Sequence, residues 1–148
     1  MLAGSSYALR LLRRHDESRQ RIDAAFEILG RLNDYPASSV TLGDAVDAAL
    51  RARAEHYADT GQTAAAITIY KELLEKVQAS NPQPKSDLRH ANGISRIYRD
   101  LGNLHQLAGD ASQARILDQQ RRELWQYWDQ RLPNNPFVRR QLAAATLH

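Results

Sequence analysis

The chain has 148 residues, no cysteine and a net charge of +3, with 43% hydrophobic and 25% charged residues. This size accommodates one folded domain rather than two, and the composition is that of an ordinary globular chain, which argues against a disordered or membrane-embedded class. Without cysteine there is no disulfide framework, thiolate metal site or cysteine nucleophile, and a reducing compartment is compatible. No apolar run approaches the roughly 18 residues of a membrane span. The opening MLAGSSYALRLLRRH breaks its apolar residues with arginines, so no secretion signal is expected and the default compartment is cytoplasmic.

Apolar residues recur at spacings of three and four, without a sustained period of two, so helices and no strands are expected. Tyr7, Leu11 and Leu12 suggest a short first helix. His15, Asp16 and Glu17 turn into a second, with Ile22, Ala25, Phe26, Leu29 and Leu32 on one face, ending near Pro36. Thr41 is placed as the cap of a third helix running to about Asp59, with Ala45, Ala49, Ala52 and Tyr57 packing, before a turn at Gly61. The fourth presents Ala66, Ile69, Tyr70, Leu73, Leu74 and Val77, and stops before the loop Ser80-Asn81-Pro82-Gln83-Pro84.

Ser86 or Asp87 caps a fifth helix with Leu88, Ile94, Ile97, Tyr98, Leu101, Leu104 and Ala108 on one broad face. The sixth carries Ala114, Leu117, Leu124, Trp125 and Trp128 toward Leu132. After Pro133, Asn135 with Pro136 behind it is the preferred start of a short last helix. Phe137, Val138 and Leu142 on that helix are expected to cover Trp125 and Trp128 rather than leave them as an exposed stacking platform.

Three sites join a helix end to a new helix through a tight turn: His15-Asp16, Gly61-Gln62 and Gly109-Asp110, 46 and 48 residues apart. A near-constant period of that size in a helical chain implies stacked helical hairpins, each unable to bury its apolar face alone. Within the periods, Tyr98-x2-Leu101-Gly102 is followed twelve residues later by Ala114, and Ala54 with Tyr57 is followed at the same spacing by Ala66, then Tyr70 and Pro82. On these residues the chain resembles the tetratricopeptide repeat family, whose pattern sets a large residue, Leu-Gly and an aromatic before an alanine, an aromatic and a proline. Small residues at those positions let two helix backbones approach, and a large residue at Ala66 or Ala114 is expected to overpack the crossing. The departures are Arg53 in place of leucine, and His105 and Asp118 in place of aromatics. The first unit keeps only Ala8 and the turn, with Gln20 at the alanine position, so it is read as a divergent cap.

The resemblance implies one all-α domain over 1–148, a right-handed stack of antiparallel helical hairpins. Its units are about 1–40, 41–86 and 87–134, with a cap over 135–148. The units exceed the family's usual length, like long-helix variants and helical regions of bacterial signalling proteins such as serine/threonine kinases. In the family the first helices of successive hairpins line a concave groove. The Gly61 and Gly109 registers carry its positions onto Arg51, Glu55 and Asp59, and onto Arg96, Arg99, Asn103 and Gln106. Arg99 followed one turn later by Asn103 resembles half of a clamp for a peptide carboxylate.

The expected function is therefore that of a scaffold binding a protein or peptide. A regulatory or dimerisation segment of a larger signalling protein is one alternative, with a second copy of the chain as a further partner class. Nucleic-acid binding by the C-terminal end is another, since residues 111–148 carry six basic against three acidic groups. It is disfavoured because Asp118, Glu123 and Asp129 interrupt Arg115, Arg121, Arg122 and Arg131, which reads as a solvated, ion-paired face. No catalytic residue, metal site or cofactor is expected. The histidines at 15, 56, 90, 105 and 148 are scattered, Glu55 and His56 point to different sides of a helix, and there is no HExxH, nucleophile elbow or glycine-rich phosphate loop. His105 is expected to be packed or hydrogen-bonded.

Overall fold

The computed structural model describes residues 15–146, and every regular element among them is an α-helix: α1 His15–Arg31, α2 Ala45–Asp59, α3 Thr63–Ala79, α4 Leu88–Leu107, α5 Ala111–Arg131 and α6 Pro136–Thr146. The chain is all-α, as its apolar period implied. Tyr7, Ala8, Leu11, Leu12 and the short helix assigned to them lie outside the described residues, as does His148. The residues fall into two compact units, one ending at Pro82 and the other running from Gln83.

In the first unit, Ile22, Phe26 and Leu29 form the buried stripe of α1. Leu32, expected on that stripe, is 62% exposed, because the helix ends at Arg31 and Asn33 turns the backbone into the left-handed region at φ 57°. Arg53, the departure from leucine, lies with its guanidinium 3.6 Å from the Phe26 ring centre and 3.6 Å from the Asp23 carboxylate. A cation over an aromatic face thus joins α2 to α1 at that position. Thr41 does not cap α2. Its carbonyl accepts from the Asp44 amide at 3.1 Å in a turn that includes Gly43 at φ 88°, and the cap is Asp44, whose carboxylate accepts from the Asp47 amide at 2.8 Å. The turn at Gly43 keeps Thr41 outside the helix, three residues short of the first position that can reach an orphan amide.

Helices α2 and α3 form a hairpin. Gly61 donates to the Ala58 carbonyl at 3.2 Å and Gln62 to the Tyr57 carbonyl at 2.8 Å, the paired bonds of a Schellman motif with glycine at φ 78°. The second unit repeats this between α4 and α5. Gly109, at φ 82°, donates to the Gln106 carbonyl at 3.1 Å and Asp110 to the His105 carbonyl at 2.9 Å. Ala54, Ala66 and Tyr70 are buried in the first hairpin, and Leu101, Gly102 and Ala114 in the second, while Tyr57 and Tyr98 are half-buried. At Gly102 the approach is close: a β-carbon there would sit 3.7 Å from the Leu117 Cβ and 3.8 Å from the Ala114 carbonyl oxygen. Ala114→Leu is therefore expected to lose about 1–3 kcal/mol of unfolding free energy by overpacking, read from urea titrations, whereas a leucine at the exposed Ala108 changes it by less than about 0.5 kcal/mol.

The core of the second unit gathers Ala91, Leu124, Trp125, Trp128, Val138 and Ala145, with Phe137 and Leu142 packed against it. Trp125 meets Phe137 edge-on at 5.8 Å between ring centres, so the tryptophans are covered by α6 rather than presented as a platform. Their indole N–H groups are satisfied inside the unit, Trp125 donating to Ser95 Oγ at 2.7 Å and Trp128 to the Pro84 carbonyl at 2.7 Å. Asp87 caps α4, accepting from the Arg89 amide at 2.8 Å. Asn135 caps α6, accepting from the Val138 amide at 3.1 Å with Pro136 at the first helical position.

Candidate binding surface

The amphipathic pattern of α4 turns Ala91, Ile94, Ile97, Leu101 and Leu104 inward and leaves a polar stripe of Arg96, Arg99, Asn103 and Gln106 at spacings of three and four. Arg96, Asn103 and Gln106 are exposed. Arg99 is half-buried, its Nε donating to Asp100 Oδ1 at 2.9 Å. The lower end of the stripe borders a cleft of about 520 Å³ in the same hairpin, where Gly102, Asn103 and Gln106 of α4 face Ala114, Arg115, Asp118 and Arg122 of α5. Asp118 Oδ1 lies 3.3 Å from where a β-carbon at Gly102 would stand, so its carboxylate packs over the glycine at the edge of the cleft.

The sequence reading of α5 as an ion-paired face needs correction. Among the described residues Arg115, Arg122, Asp118 and Glu123 make no ion pair within 4.0 Å, and only Asp129 approaches a cation, Arg139 at 3.9 Å. Arg121 is not on the surface at all. It is 5% exposed, and its Nε donates to Ser95 Oγ at 3.4 Å beside the Trp125 indole. Desolvation holds its pKa below the usual arginine range and the neighbouring Arg99 adds to this, against the opposing fields of Asp118 and Asp100.

The first unit contributes less than its register suggested. Arg51, assigned to an exposed groove, is 7% exposed and donates from Nε to the buried Asp47 carboxylate at 2.6 Å, a pair one helical turn apart within α2. Its long side chain turns inward to that carboxylate rather than outward to solvent. Glu55 is half-buried and Asp59 exposed. Arg51 and Glu55 belong to the unit ending at Pro82, and Arg96, Arg99, Asn103 and Gln106 to the other. Within that second unit the stripe and the cleft are brought together. The sequence reading passed over Arg115, Asp118 and Arg122 as cleft residues. The available signal was the seven-residue spacing of the two arginines, which puts them on one helix face on either side of Asp118.

The described histidines are packed or hydrogen-bonded. His105 is buried, with Nδ1 3.7 Å from the Asp110 carboxylate, and His90 Nδ1 accepts from the Gln83 amide at 2.9 Å. His15 and His56 face each other edge-on at 6.2 Å between ring centres, linking α1 to α2. Burial pushes the His56 pKa below the ordinary value of about 6.5, with His15 and Arg19 lowering it further against Asp59 and Asp23. The unfolded chain therefore binds this proton more readily, and stability present above about pH 6.5 is lost as pH falls through that value toward the lower folded pKa. Thermal melts at about pH 7.5 and 5.5 are expected to show a larger drop for the wild type than for His56→Gln. Equal drops would remove His56 from the acid response.

The class defined here is an all-helical protein built on short-turned hairpins, one of which carries an open polar cleft beside an exposed polar stripe. No family model gives a significant match to the chain, and neither does a curated protein or a solved structure.

Proposed function

We propose that the chain is a scaffold of the tetratricopeptide type, a right-handed repeat protein that binds a protein or peptide along the polar stripe of α4. The observation that carries this reading is the stripe itself: Arg96, Asn103 and Gln106 remain exposed at regular helical spacing and lead into a cleft bordered by the same helix. Exposed side chains with hydrogen-bonding heads along one helix, next to a concavity, are what recognition of an extended segment requires. The matching Schellman turns and the small residues at Ala54, Ala66, Gly102 and Ala114 support the repeat assignment. With Arg51 buried, the proposed surface is narrower than the one drawn from the repeat registers.

The test is a capture from native lysate by the wild type and by Arg96→Ala/Arg99→Ala, followed by affinity measurement with the purified partner. The double variant is expected to bind about tenfold or more weakly, with the wild-type interaction weakening as salt rises. Unchanged affinity would remove the α4 stripe from the binding surface.

A further inference from the structure

The geometry of the cleft points to a specific class of occupant: we infer that the space between α4 and α5 receives an extended acidic peptide segment, its carboxylates held by Arg115 and Arg122. The inference rests on the peptide-binding reading above and adds to it a ligand chemistry and two residues of α5 that lie outside the repeat-register stripe.

Arg115 and Arg122 are seven residues apart on α5, so they project from one face about 10.5 Å apart along the axis, given the rise of a helix. Both line the cleft, and neither is engaged by an acidic group within 4.0 Å among the described residues. Their guanidinium groups are forked donors suited to carboxylates, and each pair formed would be a charge-assisted contact in a partly enclosed space. A peptide in the polyproline II conformation advances about 9.3 Å in three residues and returns to the same side. Acidic residues three apart on such a segment therefore match the two arginines to within about an ångström.

The rest of the cleft suits the backbone of the same segment. Asn103 and Gln106 carry amide heads that donate and accept, and the Asp118 carboxylate is an acceptor suited to peptide N–H groups. Asp118 is the single acidic group in the lining, so the arginines outnumber it.

The probe is a fluorescein-labelled, amidated octapeptide with glutamates at its third and sixth positions in a proline and glycine background, followed by anisotropy. Two controls are the same peptide with glutamines and one with the glutamates adjacent. Arg115→Ala/Arg122→Ala is expected to weaken binding about tenfold or more, whereas Arg19→Ala/Arg21→Ala, which removes the same charge from exposed positions in the other unit, changes it less than about twofold. Circular dichroism melts of both double variants should match the wild type. The glutamine peptide should not bind, and the adjacent-glutamate peptide should bind more weakly. Asn103→Trp, which fills the cleft from an exposed position, should also abolish binding.

No binding of the acidic peptide, or equal losses in the two arginine double variants, overturns the proposal. If the glutamine peptide binds as tightly and Asn103→Trp still abolishes it, the cleft receives peptide but the acidic class is wrong. The failure of the broader reading is separate, being an unchanged affinity of Arg96→Ala/Arg99→Ala for a purified partner.

Discussion

Replacing Trp125 with alanine is expected to lower the unfolding free energy by about 3–5 kcal/mol, the usual cost of deleting a large buried aromatic side chain. Trp125 is 0% exposed, packs edge-on against Phe137 and donates its indole N–H to Ser95 Oγ at 2.7 Å. It connects α4, α5 and α6, so its removal leaves a cavity between all three and takes away the main partner of a buried hydroxyl. Trp125→Phe separates the two contributions. It keeps most of the ring burial, loses the hydrogen bond to Ser95, and is expected to cost about 1–3 kcal/mol. Urea titrations followed by far-ultraviolet circular dichroism read both. A loss below about 1 kcal/mol for the alanine variant would mean that α6 does not cover the tryptophan.

Asp47→Ala is expected to cost about 3–5 kcal/mol, because it leaves the buried Arg51 without the carboxylate it donates to. The same carboxylate accepts from the Gly43 amide at 2.8 Å, so the turn leading into α2 loses a tether as well. Asp47→Ala/Arg51→Met is expected to be more stable than Asp47→Ala alone, since it no longer buries a guanidinium that has lost this carboxylate. Equilibrium unfolding of the two variants checks the order. A small effect of Asp47→Ala, under about 1 kcal/mol, would indicate that Arg51 is solvated and would return it to the exposed groove.

Much of the helical framework was legible because its signals are local. Gly61 and Gly109 mark the Schellman turns, Asp87 and Asn135 cap the helices they were assigned to, and the apolar spacing of α4 and α5 gives the buried stripes. Thr41 and Leu32 were misplaced for one reason: a short turn, at Gly43 in one case and Asn33 in the other, moves a helix end by a few residues, and apolar periodicity does not register that. The surface was less legible because it depends on packing between elements. Arg51 and Arg121 look like surface arginines in a linear reading, yet both are buried, one on the Asp47 carboxylate and the other on the Ser95 hydroxyl. Conversely, Arg115, Asp118 and Arg122 look mutually neutralised by spacing, but their side chains do not pair. Only the position of Gly102 opposite α5 shows that they surround a cleft.

If α4 presents the surface on which a partner binds, backbone amide shift mapping with a purified partner will show it. In titrations of isotope-labelled protein, shifts are expected to concentrate from Arg96 to Gln106 on α4 and from Ala114 to Arg122 on α5. Shifts confined to the unit ending at Pro82, or to α6, would contradict it.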